Sequence, residues 1–259
     1  MLLSGSEARG QSPSKPSMFP VLYHTHHGLH PEDLPFWLEL AKQQSGPVLE
    51  LGSGTGRVLL PLLQAGFETY GLDNNLEMLR FLRGSLPPEQ QGKVTVFQAD
   101  MAHFHLARRF PLIILPCNTL STLPAQTRRS TLVRVREHLS SGGIFAASLP
   151  NPAALAEMPR RGEEELEETF SHPLSGNPVQ VSSAWRRRAH HFTVTWHYDH
   201  LLPDGQVERL TAQAVHALEP PEVYFEELAQ AGLRTMGVYG EFDRSLYTQE
   251  SPNLILVAA

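Results

Sequence analysis

Short apolar runs alternate with helical patterns five times between residues 47 and 150. Parallel strands joined by helices give this pattern, because each crossover needs a dozen or more residues and the helices cover both faces of the sheet. The sequence therefore predicts an α/β fold with a doubly wound, mostly parallel sheet of seven strands. The predicted strands are 47–51, 67–73, 93–100, 112–116, 144–150, 233–240 and 253–259.

Capping signals set the expected ends of the helices between these strands. Asn74, with Glu77 three residues later, resembles a capping box and predicts the start of a helix that ends at Gly84. A longer helix beginning near residue 127 is expected to end at Gly142 and Gly143, which precede the fifth strand.

The pattern changes after residue 150. Residues 151–178 contain the acidic run Glu163–Glu168 and several prolines, which predicts a loop or a mobile helix with a solvated acidic segment. Residues 179–218 alternate like antiparallel strands, with a turn at 203–205. We therefore predict a flexible tail at 1–18, a main domain at 19–150 and 219–259, and an antiparallel β-rich lid or substrate insert at 151–218.

Composition restricts the classes of partner. The net charge of −6 argues against a nucleic-acid partner, since binding to a phosphate backbone relies on clustered Lys and Arg. The single cysteine, Cys117, excludes an internal disulfide framework and fits a reducing compartment. No apolar run reaches the roughly 18 residues that a membrane span needs. We expect a cytoplasmic protein without a membrane association, and a homodimer stays open.

Three glycines at alternate positions follow the first strand, in the motif from Glu50 to Arg57, ELGSGTGR. Glycine permits left-handed backbone and the close approach of a ligand. A dinucleotide fingerprint needs a third glycine where Arg57 stands, and a phosphate-binding loop needs a following Gly-Lys-Ser/Thr. A nucleotide-like ligand of another kind is therefore expected, with the acidic Asp73 at the end of the second strand.

The segment VLELGSGTGR resembles the cofactor loop of the class I S-adenosylmethionine (SAM) dependent methyltransferases. The resemblance continues in order through GLDNNLEML, FQADM, LPCNTLSTL and LSSGGIFAAS, and PPEVYFEELAQAGL resembles the closing part of that family. It implies a Rossmann-like fold, SAM as cofactor and S-adenosylhomocysteine as product. It also implies methyl transfer to a small-molecule acceptor, achieved mainly by positioning and desolvation.

The resemblance also assigns roles to individual residues. Asp73 would accept hydrogen bonds from both ribose hydroxyls, and Asp100 would accept one from the adenine amino group. Glu50 would orient the glycine loop or reach the methionine amine. The candidate cofactor-binding residues are Tyr23, Glu50, Gly52, Ser53, Gly54, Gly56, Arg57, Asp73, Asn74, Met78, Asp100, Met101, Pro116, Cys117 and Asn118.

Catalytic residues are less well defined by the sequence. Tyr23 resembles the Tyr of a Tyr-Asp pair that closes over the cofactor in many small-molecule methyltransferases, although His24 replaces the acid. Strand four also departs from the family, with Pro111 where Asp is common. Tyr23 and Asn118 are the catalytic candidates. One of the histidines in the insert could be a general base, and the candidates are His190, His191, His197 and His200.

Two other features allow alternative interpretations. Pro116-Cys117 resembles the nucleophile of cytosine-5 methyltransferases, but we favour Cys117 as a small, half-buried filler. The histidine-rich segment 24–30 could bind a metal, but no completing ligand precedes Glu32, so we predict a loop or helical lid and no metal. The alternative functions are therefore a non-catalytic SAM-binding module and, with less support, a nucleic-acid methyltransferase.

Overall fold

The structure, a computed structural model, describes residues 18–259, so the predicted tail at 1–18 lies outside the described residues apart from Met18. The helices are α1 Phe19–Gly28, α2 Leu34–Gln44, α3 Leu59–Gln64, α4 Leu76–Gly84, α5 Thr119–Thr122, α6 Ala125–His138, α7 Pro152–Glu157 and α8 Pro221–Gln230, with a 3-10 helix at Pro88–Lys93. The strands are β1 Val48–Leu51, β2 Thr69–Asp73, β3 Val94–Gln98, β4 Phe110–Leu115, β5 Leu139–Pro150, β6 Glu165–Ser171, β7 Pro178–Arg187, β8 His191–Leu201, β9 Val207–Ala217, β10 Thr235–Tyr239 and β11 Asn253–Ala258.

The main sheet has seven strands in the order β10-β11-β5-β4-β1-β2-β3. Strands β1 to β5 pair in parallel, whereas β11 runs antiparallel to both β5 and β10. The predicted doubly wound, mostly parallel seven-stranded sheet is confirmed. The chain reverses its direction across the sheet between β1 and β4, and ligands of such sheets bind beyond the carboxyl ends of the strands at that point.

Helices cover both faces of the main sheet, which explains why its central strands are apolar on both sides. Leu132 and Val135 of α6 and Leu228 of α8 join one buried cluster with Leu49 and Leu51 of β1. The buried residues that α2 and α3 contribute to the other face include Phe36, Trp37, Leu40 and Leu62. Among residues 18–259, no helix combines the length and the apolar character needed to cross a membrane.

A second sheet, formed by the antiparallel strands β6-β7-β8-β9, lies within the predicted insert at 151–218. Phe19 and Leu22 of α1 form a buried cluster with Val179, Tyr198 and Ala212 of this sheet. α5 also lies against β9. The second sheet is therefore packed against α1 and against the segment that follows β4. How the chain divides into domains stays a prediction.

The glycines expected to end α6 have another role. α6 ends at His138, and β5 begins at Leu139, so Gly142 and Gly143 lie inside a strand. A Cβ on Gly143 would lie 2.9 Å from the carbonyl oxygen of Phe110, at the point where the β4–β5 register shifts. The prediction of a helix stop there was wrong, because the glycines allow an irregular strand to lie close to its neighbour.

Two further local predictions were wrong. The N-cap of α4 is Asn75, not Asn74, and its Oδ1 accepts hydrogen bonds from the backbone N–H groups of Glu77 and Met78 at 3.0 and 3.3 Å. Residues 151–178, expected as a loop or mobile helix, contain the short helix α7 and the strand β6. Cross-strand pairing with β7 overrides the weak strand signal of the acidic run.

Candidate active site

The glycine loop joins β1 to α3 at the carboxyl edge of the main sheet. Gly52, Gly54 and Gly56 have φ values of 68°, 53° and 87°, a region that side chains rarely adopt. A Cβ on Gly52 would lie 3.4 Å from Thr119 Cγ2, and one on Gly56 would lie 2.3 Å from Leu82 Cδ1. Gly52 therefore keeps the cavity side of the loop open, whereas Gly56 lets the loop pack against α4.

Asp73, at the end of β2, forms a hydrogen bond with the backbone of the glycine loop. Its Oδ2 accepts a hydrogen bond from the Gly54 N–H at 2.9 Å, and its Oδ1 accepts one from the Asn75 N–H at 2.7 Å. Burial raises the pKa of this carboxyl above its usual value, although the two N–H groups oppose that effect. Each oxygen keeps acceptor capacity for a further donor, which is the arrangement that ribose hydroxyls require.

Glu50 lies beneath the loop and does not line the cavity. Its side chain is 2% exposed, and its Oε2 has no hydrogen-bond partner among the described residues. Burial raises the pKa of this carboxyl well above its usual value. The carboxyl can therefore support the loop from below, and the structure provides no direct contact between it and the cavity.

Arg57 forms an ion pair that the sequence does not reveal. Its guanidinium donates to both carboxylate oxygens of Asp33, at 2.7 and 2.5 Å, and Trp37 Nε1 donates to the same carboxylate at 2.8 Å. The arginine also contacts Cys117 Sγ at 3.0 Å. This pair fixes the beginning of α2 against the glycine loop and leaves Arg57 at the cavity wall.

Cys117 is exposed and lines the cavity, so the prediction of a half-buried filler was wrong, because the turn after β4 leaves its side chain outside the packed core. The surroundings of the thiol nevertheless do not activate it. Enclosure by the protein raises the pKa of the thiol to about 11, and the charge of Arg57 only partly opposes this rise. The thiolate is the nucleophilic form of cysteine, so a thiol protonated at neutral pH is a poor nucleophile. This environment argues against the covalent mechanism of cytosine-5 methyltransferases.

Tyr23 and His24 lie within α1, which faces the glycine loop. Tyr23 lines the cavity, its ring centroid is 4.2 Å from that of His27, and burial raises the pKa of its hydroxyl. His24 Nδ1 lies 3.0 Å from Thr55 Oγ1 and does not line the main cavity. His24, which stands where the family has an acid, thus connects α1 to the loop.

Asp100 lines the cavity just after the end of β3. Its Oδ1 accepts a hydrogen bond from the Ala102 N–H at 2.8 Å, and its Oδ2 lies 3.0 Å from His103 Nδ1. Met101 lies beside it at the cavity wall, 3.5 Å from the position that a Cβ on Gly52 would take. Asp100 therefore contributes a carboxylate, and Met101 an apolar side chain, to the cavity wall next to the glycine loop.

One cavity of about 630 Å³ brings most of the predicted residues together, a volume typical of small-molecule sites. The candidate residues that line it are Tyr23, Gly52, Gly54, Arg57, Asp73, Asn74, Met78, Asp100, Met101, Cys117 and Asn118. The candidates that do not line it are Glu50, Ser53, Gly56 and Pro116. Ser53 and Pro116 are buried, and Ser53 Oγ would lie 2.8 Å from a Cβ on Gly71.

The second sheet supplies cavity residues that sequence reasoning missed. Trp196, Ala214 and His216 line the same cavity as the glycine loop. None of the insert histidines considered from the sequence lines it, and His197 instead contacts Thr211 at 2.9 Å. Ala214 and His216 are two residues apart on β9 and so share one face, but alternation alone does not tell which face points inward.

The histidine-rich segment 24–30 belongs mainly to α1 and connects to the second sheet. His26 Nδ1 lies 3.1 Å from the Tyr198 hydroxyl, and His26 Nε2 lies 3.4 Å from Glu167 of the acidic run. The acidic run is therefore partly engaged, not wholly solvated as predicted. Within residues 18–259, no group of three His, Cys, Asp or Glu side chains is placed to hold a metal ion.

Comparison with known proteins agrees with this geometry. Residues 48–143 match the family model described as "Methyltransferase domain". The chain is 30% identical over 124 residues to "Putative methyltransferase YqeM" of Bacillus subtilis (strain 168), a match that covers 47% of this chain and about half, 49%, of that protein. Residues 48–143 of this chain therefore form a methyltransferase domain. The family resemblance expected from the sequence is confirmed.

Solved structures show the same fold at low sequence identity. An S-adenosylmethionine-dependent methyltransferase from Clostridium acetobutylicum ATCC 824 has a TM-score of 0.77 at 13% identity, covering 92% of this chain and 98% of that chain. The sugar N-methyltransferase KedS8 from Streptoalloteichus sp ATCC 53650 has a TM-score of 0.72 at 18% identity, covering 99% of this chain and 98% of that chain. The likeness extends over the second sheet as well as the domain at 48–143.

Proposed function

We propose that the protein transfers a methyl group from SAM to a small-molecule acceptor bound between the glycine loop and the second sheet. The observation that carries this proposal is the shared cavity of about 630 Å³. The main sheet contributes the glycine loop and Asp73 to its lining, and the second sheet contributes Trp196 and His216. A cofactor and an acceptor can therefore lie in one cavity, as direct transfer between them requires.

The residues around the loop fit SAM. The open backbone at Gly52 and Gly54 admits the methionine and ribose parts, and the Asp73 carboxylate can accept from ribose hydroxyls. Asp100 and Met101 provide an acceptor and an apolar contact for adenine. When bound, SAM supplies a methyl group on an activated sulfonium. The protein can contribute chiefly by alignment and exclusion of water, which together amount to about 7–11 kcal/mol in favourable cases.

The charges and shape of the cavity support a small acceptor. Acidic residues at its wall include Glu32, Asp33, Asp73 and Asp100, and Arg57 is already paired with Asp33. Such a wall repels a phosphate backbone. The second sheet forms part of the cavity wall, which favours a compact ligand. The name of KedS8 as a sugar N-methyltransferase supports the small-molecule class.

The setting of the protein is a further part of the proposal. A cytoplasmic location is supported by the single cysteine, Cys117, which fits a reducing compartment. A homodimer stays a prediction, and sedimentation velocity of the purified protein tests it.

Labelled SAM tests the proposed activity. The purified protein is incubated with tritium-methyl SAM and, in separate reactions, a small-molecule cell extract, bulk tRNA and duplex DNA. We expect label in the small-molecule fraction together with S-adenosylhomocysteine, and none with heat-inactivated protein. Label in tRNA or DNA would contradict the acceptor class. SAM that binds in calorimetry but yields no S-adenosylhomocysteine would indicate a non-catalytic binding module.

A further inference from the structure

His216 occupies a position that the proposed activity has not used. It lies on β9, is 7% exposed and lines the cavity. Its Nδ1 lies 2.8 Å from the Oγ of Ser121, a buried residue of α5. α5 follows the Pro116-Cys117-Asn118 segment at the end of β4. The imidazole is therefore tied to the edge of the main sheet where methyl transfer would occur.

The surroundings of Ser121 favour one protonation state of the His216 ring. The Ser121 Oγ lies 2.8 Å from the backbone carbonyl of Asn118, which can only accept. With the hydroxyl proton directed to that carbonyl, the Ser121 oxygen accepts from His216, which places the imidazole proton on Nδ1. Nε2, on the other side of the ring, is then left with a free lone pair.

The environment keeps this imidazole neutral. Burial lowers the pKa of His216 below its usual value, so the ring carries no charge near neutral pH. The partner of Nδ1 is a hydroxyl and not a carboxylate, so it adds no negative charge that would raise the basicity of Nε2. His216 is thus a weak base that is always available to accept a proton.

We propose that His216 Nε2 accepts the proton of a hydroxyl group on the acceptor during methyl transfer, while Ser121 positions the imidazole. This inference rests on the proposed methyltransferase function and extends it to the class of acceptor. The acceptor is then an alcohol or a phenol, and the product is a methyl ether.

The proton transfer balances the reaction. The hydroxyl oxygen forms a bond to the methyl carbon while the carbon–sulfur bond breaks and sulfur keeps the electron pair. As positive charge develops on oxygen, its proton moves to Nε2, and the imidazolium later releases this proton to solvent.

A hydroxyl suits this weak base better than an amine does. An oxygen that gains a methyl group becomes strongly acidic, so even a weak base takes its proton downhill. Most amines instead arrive protonated and must lose a proton before they can attack. A neutral imidazole without a carboxylate partner is too weak a base to remove it.

Nitrogen NMR of the free protein tests the proposed protonation without any acceptor. The 15N shifts of the His216 ring at pH 7 are assigned by comparing the wild type with His216→Asn. We expect the pattern of a neutral ring protonated on Nδ1. A ring protonated on Nε2, or an imidazolium at this pH, would overturn the proposal even if the protein is an active methyltransferase.

The acceptor class is tested with 13C-methyl SAM and the small-molecule extract. The carbon shift of the transferred methyl distinguishes oxygen, nitrogen, sulfur and carbon acceptors. We expect an O-methyl signal, and we expect His216→Asn to lower kcat by about 100-fold or more, with S-adenosylhomocysteine affinity retained. The matched control is His197→Asn, which changes a histidine of the same sheet that does not line the cavity, and its kcat should equal that of the wild type.

The outcomes separate the inference from the proposed function. An N-, S- or C-methyl product, or unchanged O-methylation by His216→Asn, would overturn the role of His216 and leave the methyltransferase function standing. No methyl transfer to any component would refute the proposed function and the inference with it. We expect Ser121→Ala to lower kcat and to give a mixture of the Nδ1- and Nε2-protonated forms of the His216 ring. Ser121→Thr, which keeps the hydroxyl, should restore kcat and the Nδ1-protonated form. An unchanged tautomer in Ser121→Ala would refute the positioning role.

Discussion

Replacing Asp73 with alanine tests the assignment of the cofactor site most directly. The carboxylate accepts two backbone N–H groups, at 2.9 Å from Gly54 and 2.7 Å from Asn75, and faces the cavity. A hydrogen bond to a charged group contributes about 1.5–3 kcal/mol net. If the carboxylate also accepts from the ribose, Asp73→Ala should weaken ligand binding by at least one such bond, or about 10- to 150-fold.

Asp73→Asn should not rescue binding. Both carboxylate oxygens of Asp73 accept from backbone N–H groups, so the amide NH₂ of an asparagine would face another donor. Asp73 therefore differs from carboxylates at which an Asp→Asn substitution has only a small effect. We expect Asp73→Asn to bind nearly as weakly as Asp73→Ala.

Isothermal titration calorimetry with S-adenosylhomocysteine measures the effect, since this ligand is not consumed. The matched control is Glu77→Ala, which removes the same charge from an exposed side chain on α4 that does not line the cavity. Its affinity should equal that of the wild type. Wild-type affinity in Asp73→Ala, or an equal loss in Glu77→Ala, would refute the proposed role of Asp73.

Three further predictions concern the thiol, acid stability and the buried ion pairs. Cys117→Ala should retain methyl transfer, because the thiol with a pKa of about 11 is not a nucleophile at neutral pH; complete loss of turnover in the labelled-SAM assay would contradict this. Burial, together with the charges of neighbouring histidines and Arg57, lowers the pKa of His27 from 6.5 to about 3. As the pH falls below 6.5, His27 is therefore protonated in the unfolded chain before it is protonated in the folded protein, and the free energy of unfolding decreases. Urea unfolding measures the free energy of unfolding at pH 7 and at pH 5. Between these two pH values, the free energy of unfolding of His27→Gln should fall by about 2 kcal/mol less than that of the wild type. An equal fall in both proteins would contradict the lowered pKa of His27. Arg128→Met should lower the free energy of unfolding by about 3–5 kcal/mol, because the buried Glu227 carboxylate keeps only the partly exposed Arg129, 3.5 Å away, as a partner. Arg128→Met with Glu227→Gln should recover part of that loss, and no recovery would exclude the pairing as the cause.

Local sequence patterns were sufficient to predict the main sheet and the position of the glycine loop along the chain. The spacing of apolar runs set the order of strands and helices, because the periods of strands and helices differ. The glycines at 52, 54 and 56 predicted left-handed turns, and the positive φ values confirm that backbone requirement. Errors occurred where pairing between distant strands decided the conformation, as at Gly142 and Gly143 inside β5.

The distribution of side chains around the loop depended on packing. Gly56 resembles the other loop glycines in sequence, but the approach of Leu82 from α4 decides its role. Glu50 and Ser53 lie in the same motif, yet both are buried beneath the loop and away from the cavity. A motif specifies which backbone positions are close to a ligand, whereas the neighbouring elements determine where each side chain points.

The sequence by itself thus determined the fold class, the glycine loop and the carboxylate at the end of β2, because these follow from short-range periodicity and turn chemistry. Only the tertiary structure decided what faces the acceptor. Arg57 meets Asp33 because α2 packs beside the helix that follows the glycine loop. His216 meets Ser121 across 95 positions of the chain because the second sheet packs against α1 and α5. Strand alternation offers two faces, and the docking of that sheet is the physical event that turns one of them toward the cavity.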